Sequence, residues 1–397
     1  MVGVDPDGGR CVNVQTMTFH RGIVGVLTAV VAAACSLAAA APSAQAAPSA
    51  PSEQLASSAP FAQIIPSAPS SPSARDRTPS WNLLSTGSQS HFRGLSPVSR
   101  TVAWLGGYNG LVLRTVNGGQ TWLDASPAGA STLQFRDIAA FGATHAVAMA
   151  AGSGTDSRLY VTTDGGRSWR LAYQNTDPAA FFDCMSFFNA QHGLVVSDPV
   201  GGKFRILSTR DGGRSWTVLP NAGMPAALPG EAAFAASGEC LTTSGSDAWF
   251  GAGGTTSARV FHSGDGGLTW DVSATPMTSG PTAGVFALAF RTPQFGIAVG
   301  GDFSAPTNSS NVSALSLFGR PWVTPPSGPA GYRSGVTWVP HSPTTAIAVG
   351  LTGSDISNDR GMHWRTFDTG QFDTVSCARD GSCWASGDLG RVAVLNR

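Results

Sequence analysis

The sequence predicts an all-β protein: a seven-bladed β-propeller of four-stranded antiparallel blades. Three observations predict it. First, the phrase Ser/Thr-x-Asp/Asn-x-Gly-x-x-Trp is written five times: TVNGGQTW at 115–122, TTDGGRSW at 162–169, TRDGGRSW at 209–216, SGDGGLTW at 263–270 and SNDRGMHW at 357–364. Recurrence at roughly fifty-residue spacing marks a repeat architecture. Second, a two-part pattern precedes the copies: a short apolar strand, a polar turn, then a second strand ending in Gly or Ser. Third, the strand missing from the last unit is supplied at the front of the chain, where Trp81-Asn82-Leu83-Leu84 stands one blade-length before Trp122.

The front of the chain reads as an export signal, 1–46. After His20 and Arg21 the run from Ile23 to Ala41 is small and apolar, and Ala44-Gln45-Ala46 has the form of a signal-peptidase site. The stretch up to Thr16 is long and polar for a signal, which makes Met17 a candidate start. Lipid anchoring at Cys35, after Ala32-Ala33-Ala34, is the minor alternative, and small residues with a cleavage site disfavour a transmembrane span. Residues 47–79 are mostly Ala, Ser and Pro, too poor in large apolar residues to form a core, and are assigned as a linker. Residues 80–397 form one folded domain, expected to be a monomer.

Within that domain the first two strands of successive units fall at RGLSPVSRTVAWLGG (93–107), FRDIAAFGATHAVAMAAG (135–152), FDCMSFFNAQHGLVVSD (182–198), GEAAFAASGECL with AWFGAGG (230–241, 248–254), GVFALAFRTPQFGIAVGGD (284–302), and GVTWVP with AIAVG (335–340, 346–350). The fifth unit has lost the phrase, since LSLFGRPW (315–322) keeps only its Gly and Trp framework. A seventh starts at DTVSCARDGSCWASGD (373–388) and stops after RVAVLNR, so the strand at 81–84 should complete it and close the ring, removing open strand edges.

The phrase has a mechanical explanation. Asn117, Asp164, Asp211, Asp265 and Asp359 can turn their side chains onto following backbone N–H groups, and the glycine two residues later takes a conformation that a Cβ would hinder. Trp122, Trp169, Trp216, Trp270 and Trp364 then lock the next strand, each indole N–H needing a polar partner. These aspartates are structural in this reading. The phrases resemble Asp-boxes, or BNR repeats, which in sialidases, sortilin-type receptors and photosystem II assembly-factor-like propellers join the third and fourth strands of a blade.

The 24 basic and 24 acidic residues leave no net charge, which argues against nucleic acid and anionic membrane as partners. Four cysteines lie beyond the signal. Cys377 and Cys383 flank a hairpin-sized interval and are paired, which leaves Cys184 and Cys240 as a second disulfide by elimination. No C-x-x-C or histidine cluster argues for a metal, and no G-x-G-x-x-G unit for a nucleotide, so no cofactor is expected.

A propeller's first strands line its central channel, and their starts share a face with the turns between second and third strands. Aligning first strands brings Arg93, Arg136, Asp183, Glu231 and Asp373 into register, with Arg333 just ahead of the sixth. The turns add Tyr108, Asp198, Asp302 and Asp388, and Tyr332 precedes Arg333. Such a concave surface is the default binding site. Paired groups bridging a water-filled channel are its bland reading; an arginine-lined site for an anion or peptide is its functional one.

SHFRGL (90–95), LPGEAAFAASG (228–238), AVGGDF (298–303) and GYRSGV (331–336) resemble the photosystem II stability and assembly-factor-like family and its bacterial relatives outside photosynthesis, over Trp81–Arg397. That resemblance implies a non-catalytic scaffold holding a protein or peptide partner through an arginine-rich face, with no catalytic residue. The alternative resemblance is to sialidases, implying a glycan substrate, an arginine triad of Arg93, Arg136 and Arg333, a Tyr332–Glu231 nucleophile pair and Asp183 as acid. Against it, Phe92-Arg93-Gly94-Leu95 stands where sialidases carry Arg-Ile-Pro, and sialidases have six blades.

Overall fold

The computed structural model describes residues 78–317 and 321–396. The export signal, Met17, Cys35, nearly all of the linker and Gly319 of the degenerate fifth phrase lie outside the described residues. Seven four-stranded antiparallel sheets are present, six with their strands in sequential order and the seventh completed by the first strand of the described chain. Blade 1 comprises Phe92–Pro97, Ala103–Gly107, Val112–Thr115 and Leu123–Asp124. Blades 2 to 6 repeat that plan, and blade 7 joins Thr374–Cys377, Cys383–Ser386 and Val392–Asn396 to Ser80–Leu84. The closing strand pairs antiparallel from Ser80↔Asn396 to Leu84↔Val392. Among the described residues no helix is long and apolar enough to cross a membrane.

Second strands such as Ala146–Ala151 and Ala346–Gly350 are buried on both faces, which is why they read as continuous small or β-branched runs rather than alternating ones. Among the described residues the apolar side chains form eight clusters, one for each of the seven seams of the ring and a smaller one that joins Ala236 to Phe286 and Tyr332. Trp104, Phe135 and Tyr160, for example, share the seam between blades 1 and 2. Disulfides Cys184–Cys240 and Cys377–Cys383 span Cα separations of 5.8 and 4.0 Å. The first ties blade 3 to blade 4; the second crosses the first hairpin of blade 7.

All five repeated phrases form the same turn. In the fourth copy Ser263 Oγ donates to Asp265 Oδ1 (2.8 Å) and accepts from the Gly267 N–H (2.9 Å), while Asp265 also accepts from the Leu268 and Thr269 N–H groups and the Thr269 hydroxyl. Gly267 has φ +95°, where a Cβ would be strained. Four of the turns are pinned to the loop between the first and second strands of their own blade, as in Gly118 N–H to Thr101 O (2.9 Å) and Gly165 N–H to Thr144 O (2.9 Å). This places the phrases on the face away from first-strand starts. Trp216, Trp270 and Trp364 donate to the glycine carbonyl of their own turn, and Trp169 to the Ala125 carbonyl of the preceding blade. Trp122 differs: its ring stands edge-on to Trp384, and its indole N–H finds no acceptor among the described residues.

The donors around each aspartate favour its ionised form. Asp164 is lowered to about 2 by the Ser168 hydroxyl and N–H and then the Thr162 hydroxyl. A depressed carboxyl contributes stability that is present above its unfolded value near 4 and lost as pH falls through the folded one. Asp265, also held below the usual carboxylate range by the hydroxyl and N–H of Thr269 despite partial burial, gives the test: Asp265→Ala should destabilise by about 1–2 kcal/mol at neutral pH, and the difference from wild type in urea denaturation should shrink as pH falls below about 4. An unchanged urea midpoint would contradict this account.

Candidate functional site

The start of each first strand and the turn between second and third strands meet on the face opposite the repeated phrases. In blade 1 the Tyr108 N–H donates to the His91 carbonyl (3.2 Å), and the Tyr108 ring stacks on the imidazole with centroids 5.0 Å apart. Arg93, also from blade 1, and Arg136 from blade 2 place their guanidinium carbons 5.6 and 5.5 Å from the Tyr108 centroid, within cation–π range. Blade 7 supplies the counter-charges. His91 Nε2 meets Asp373 Oδ2 at 2.8 Å and its Nδ1 lies 3.5 Å from Asp388, while Arg93 Nε lies 3.7 Å from Asp373. Gln134 accepts from Arg136 Nε and Nη2 at 2.9 and 2.5 Å, fixing the planar fork. Three blades thus hold one aromatic ring among two cations and two carboxyls.

Beside Arg136 lie two interacting carboxyls of blade 3. Burial and then the Asp198 charge hold Asp183 well above the usual carboxylate range, with Arg136 pulling the other way. Burial pushes Asp198 up to about 7, although the Ala233 N–H donates to it at 3.1 Å.

The channel itself is not a simple water-filled bore, as the strand alignment implied. GEAAFAASGECL was expected to open blade 4 as its first strand, but the strand spans only Leu241–Ser244. The preceding segment leaves the sheet and reaches across the ring. Ser237 Oγ donates to the Ser334 carbonyl of blade 6 (2.6 Å), the Leu288 N–H of blade 5 donates to the Glu239 carbonyl (3.0 Å), and Arg136 Nη1 donates to the Ala235 carbonyl (3.4 Å). Glu239 accepts from the Val336 N–H of blade 6 (2.6 Å), and from the Thr374 hydroxyl (2.7 Å) and Val375 N–H (3.0 Å) of blade 7. Asp137 of blade 2 faces Gly238 and accepts from the Met185 N–H of blade 3 (2.6 Å). The Cys184–Cys240 disulfide fastens the end of this segment to blade 3. Burial raises both Asp137 and Glu239 to about 8.

The other predicted residues sit apart from the Tyr108 cluster. Glu231 receives the guanidinium of Arg259, with Nε at 2.6 Å and Nη2 also bound, and the Leu228 N–H at 2.9 Å. Arg333 is fully buried, donating to Asp355 (2.6 Å), the Tyr332 carbonyl and Thr352. Tyr332 is buried edge-on against Phe286 at 4.8 Å. Asp302 caps its own turn, accepting from Thr282 and from the N–H and hydroxyl of Ser304. Among the described residues no three His, Cys, Asp or Glu side chains come together as a metal would require. Sequence reasoning missed His91, Gln134, Asp137 and Glu239. His91 and Gln134 each stand two residues before an arginine already singled out, which is the signal that was available.

No protein-family model matches the chain, and no curated protein does. Solved structures do. YCF48 bound to D1 peptide is 15% identical, covering 79% of this chain and 94% of that one at a TM-score of 0.57. YCF48 from Cyanidioschyzon merolae is 14% identical, covering 79% and 98% at 0.56. The Pan2 WD40 domain of Neurospora crassa is 13% identical, covering 78% and 90% at 0.52. The likeness is one of fold.

Proposed function

We propose that this protein is an exported, non-catalytic propeller that binds a protein or peptide partner on its channel face, in the manner of a scaffold or assembly factor. The observation that carries the reading is the Tyr108 ring within cation–π range of both Arg93 and Arg136 and stacked on His91, with Asp373 and Asp388 beside the imidazole. Tyrosine and arginine are the residues that dominate binding hot spots, and groups locked before binding lose little entropy on contact. Tyr108 is half-buried, so part of the residue lies at the surface of the mouth. The segment across the channel favours a partner that lies on the mouth over one that threads the ring. One solved propeller of this fold is bound to D1 peptide, which supports a peptide as the partner class. Two disulfides suit an oxidising compartment.

Hydrolysis has less support. Glu231 is occupied by Arg259, Tyr332 is buried, and Arg333 is committed to Asp355. The test is affinity capture from the exported fraction of the native host with wild type, Tyr108→Ala and Arg136→Ala. The same captured protein should be lost by tenfold or more in both variants. Capture indifferent to both substitutions would refute the reading, and sialoside turnover abolished by Tyr332→Phe and Glu231→Gln would replace it with a glycosidase.

A further inference from the structure

The turns between second and third strands of blades 1 and 7 are built alike. In Gly107-Tyr108-Asn109-Gly110-Leu111 the Gly107 N–H donates to the Leu111 carbonyl (2.9 Å) and the Leu111 N–H to the Tyr108 carbonyl (3.3 Å). In Gly387-Asp388-Leu389-Gly390-Arg391 the same two bonds measure 2.9 and 3.0 Å. Both turns need two successive residues in the left-handed region: Asn109 at φ +57° and Gly110 at +70°, Leu389 at +53° and Gly390 at +73°. Asparagine and glycine adopt that conformation readily, whereas leucine is strained there. Leu389 is also 69% exposed, the most exposed large apolar side chain of the described residues. A strained backbone carrying an exposed aliphatic side chain is unfavourable on both counts for the isolated fold, and strain of this kind gathers at binding sites.

Leu389 overhangs a pocket of ≈ 470 Å³ between the turn of blade 7 and the irregular stretch that leads from the closing strand into blade 1. Leu83, 56% exposed, and Leu84 line the same pocket, with Gln89 and Gln371 at its polar rim. Among the described residues the N–H groups of Thr86, Gly87 and Gln89 along the irregular wall make no backbone–backbone hydrogen bond, while the Thr86 hydroxyl donates to the Gly390 carbonyl at 3.2 Å and joins this wall to the turn of blade 7. Asp388, the residue 3.5 Å from His91, also lines the pocket, so the pocket borders the Tyr108 cluster. Backbone outside the sheet and exposed leucines lining the same pocket are the two halves of extended-peptide recognition: main-chain bonds from the one, a side-chain pocket from the other.

We infer that this groove is a docking site for an extended peptide carrying an aliphatic side chain, seated between Leu83 and Leu389 with its backbone against residues 86–89. The inference rests on the peptide-binding reading above and extends it radially from the Tyr108 cluster. Random dodecapeptides displayed on phage are selected against the oxidised full-length protein. The enriched peptide is then titrated by fluorescence anisotropy into wild type, Leu389→Asn, Leu83→Ser and Tyr108→Ala. Enriched sequences should share an aliphatic residue, and Leu389→Asn and Leu83→Ser should each weaken binding at least tenfold. Leu389→Asn should meanwhile raise Tm by about 2 °C or more as strain is relieved, an outcome that mere unfolding of the loop would reverse. Binding that falls with Tyr108→Ala but ignores both leucine variants would overturn the groove and leave the mouth intact; no enrichment would sink both. A dimer in sedimentation that Leu389→Asn dissolves would give the groove to a second copy and overturn the peptide assignment.

Discussion

Glu239→Ala should destabilise the propeller by about 3–5 kcal/mol, the cost of leaving the buried Val336 and Val375 N–H groups and the Thr374 hydroxyl without an acceptor. The effect is large because one side chain of blade 4 holds blades 6 and 7 from inside the ring. Urea denaturation under oxidising conditions measures it, and a loss below about 1 kcal/mol would remove Glu239 as a tie. The same carboxyl gives a pH signature. Its folded value, raised to about 8 by burial, exceeds its unfolded value. Its contribution is therefore fully present below the unfolded value near 4.5 and declines as pH rises through 8. Asp137, raised to about 8, and Asp198, raised to about 7, act in the same direction. Wild type should lose stability steadily from pH 5 to 8, and Glu239→Gln, which mimics the protonated acid, should show a shallower decline. A flat wild-type profile would mean that Glu239 is ionised and that its three donors outweigh burial.

Trp81→Ala should cost about 3–5 kcal/mol, as expected for removing a large buried aromatic side chain. Trp81 packs against Phe367 and Phe372 with centroids 5.8 and 5.4 Å apart, and its indole N–H donates to Ser354 Oγ at 2.9 Å. All three residues precede the last blade's first hairpin, so this one ring bonds the closing strand to blade 6 as well as to blade 7. Limited proteolysis should cut the variant between residues 84 and 91 while wild type resists. Equal resistance would show that the ladder to Val392–Asn396 closes the ring without the tryptophan.

Blade number and ring closure were legible because both depend on local chemistry repeated at fixed spacing: a turn aspartate, a glycine at positive φ, a tryptophan. Trp81 could be matched to the missing strand because it resembles Trp122 and its successors. The segment across the channel was not legible, since Ala232-Ala233-Phe234-Ala235-Ala236 is a short apolar run of the kind that forms buried strands in the other blades. The hint lay in Gly238, whose φ of +76° turns the chain out of the sheet and brings it against Asp137. The mouth was readable in part. Arg93, Arg136 and Tyr108 do come together, because the register of first strands carries over from blade 1 to blade 2, whereas it fails at blade 4, whose first strand starts ten residues after Glu231. Arg333 and Glu231 were placed by the same register but meet partners from later strands, Asp355 and Arg259, and alignment of first strands contains no information about third ones.

The pairing of Ser80–Leu84 with Val392–Asn396 joins the first of the described strands to the last. During synthesis six blades can acquire their sheets in turn, but the seam between the two ends cannot form until nearly the whole domain has been polymerised. Until then the chain presents an unpaired edge at each extremity, the condition in which repeat proteins exchange strands with one another. Contacts of such long sequence separation also slow folding. Closure of this ring is therefore governed by Val392–Asn396, and a chain cut anywhere before Val392 would form an open arc rather than a smaller ring.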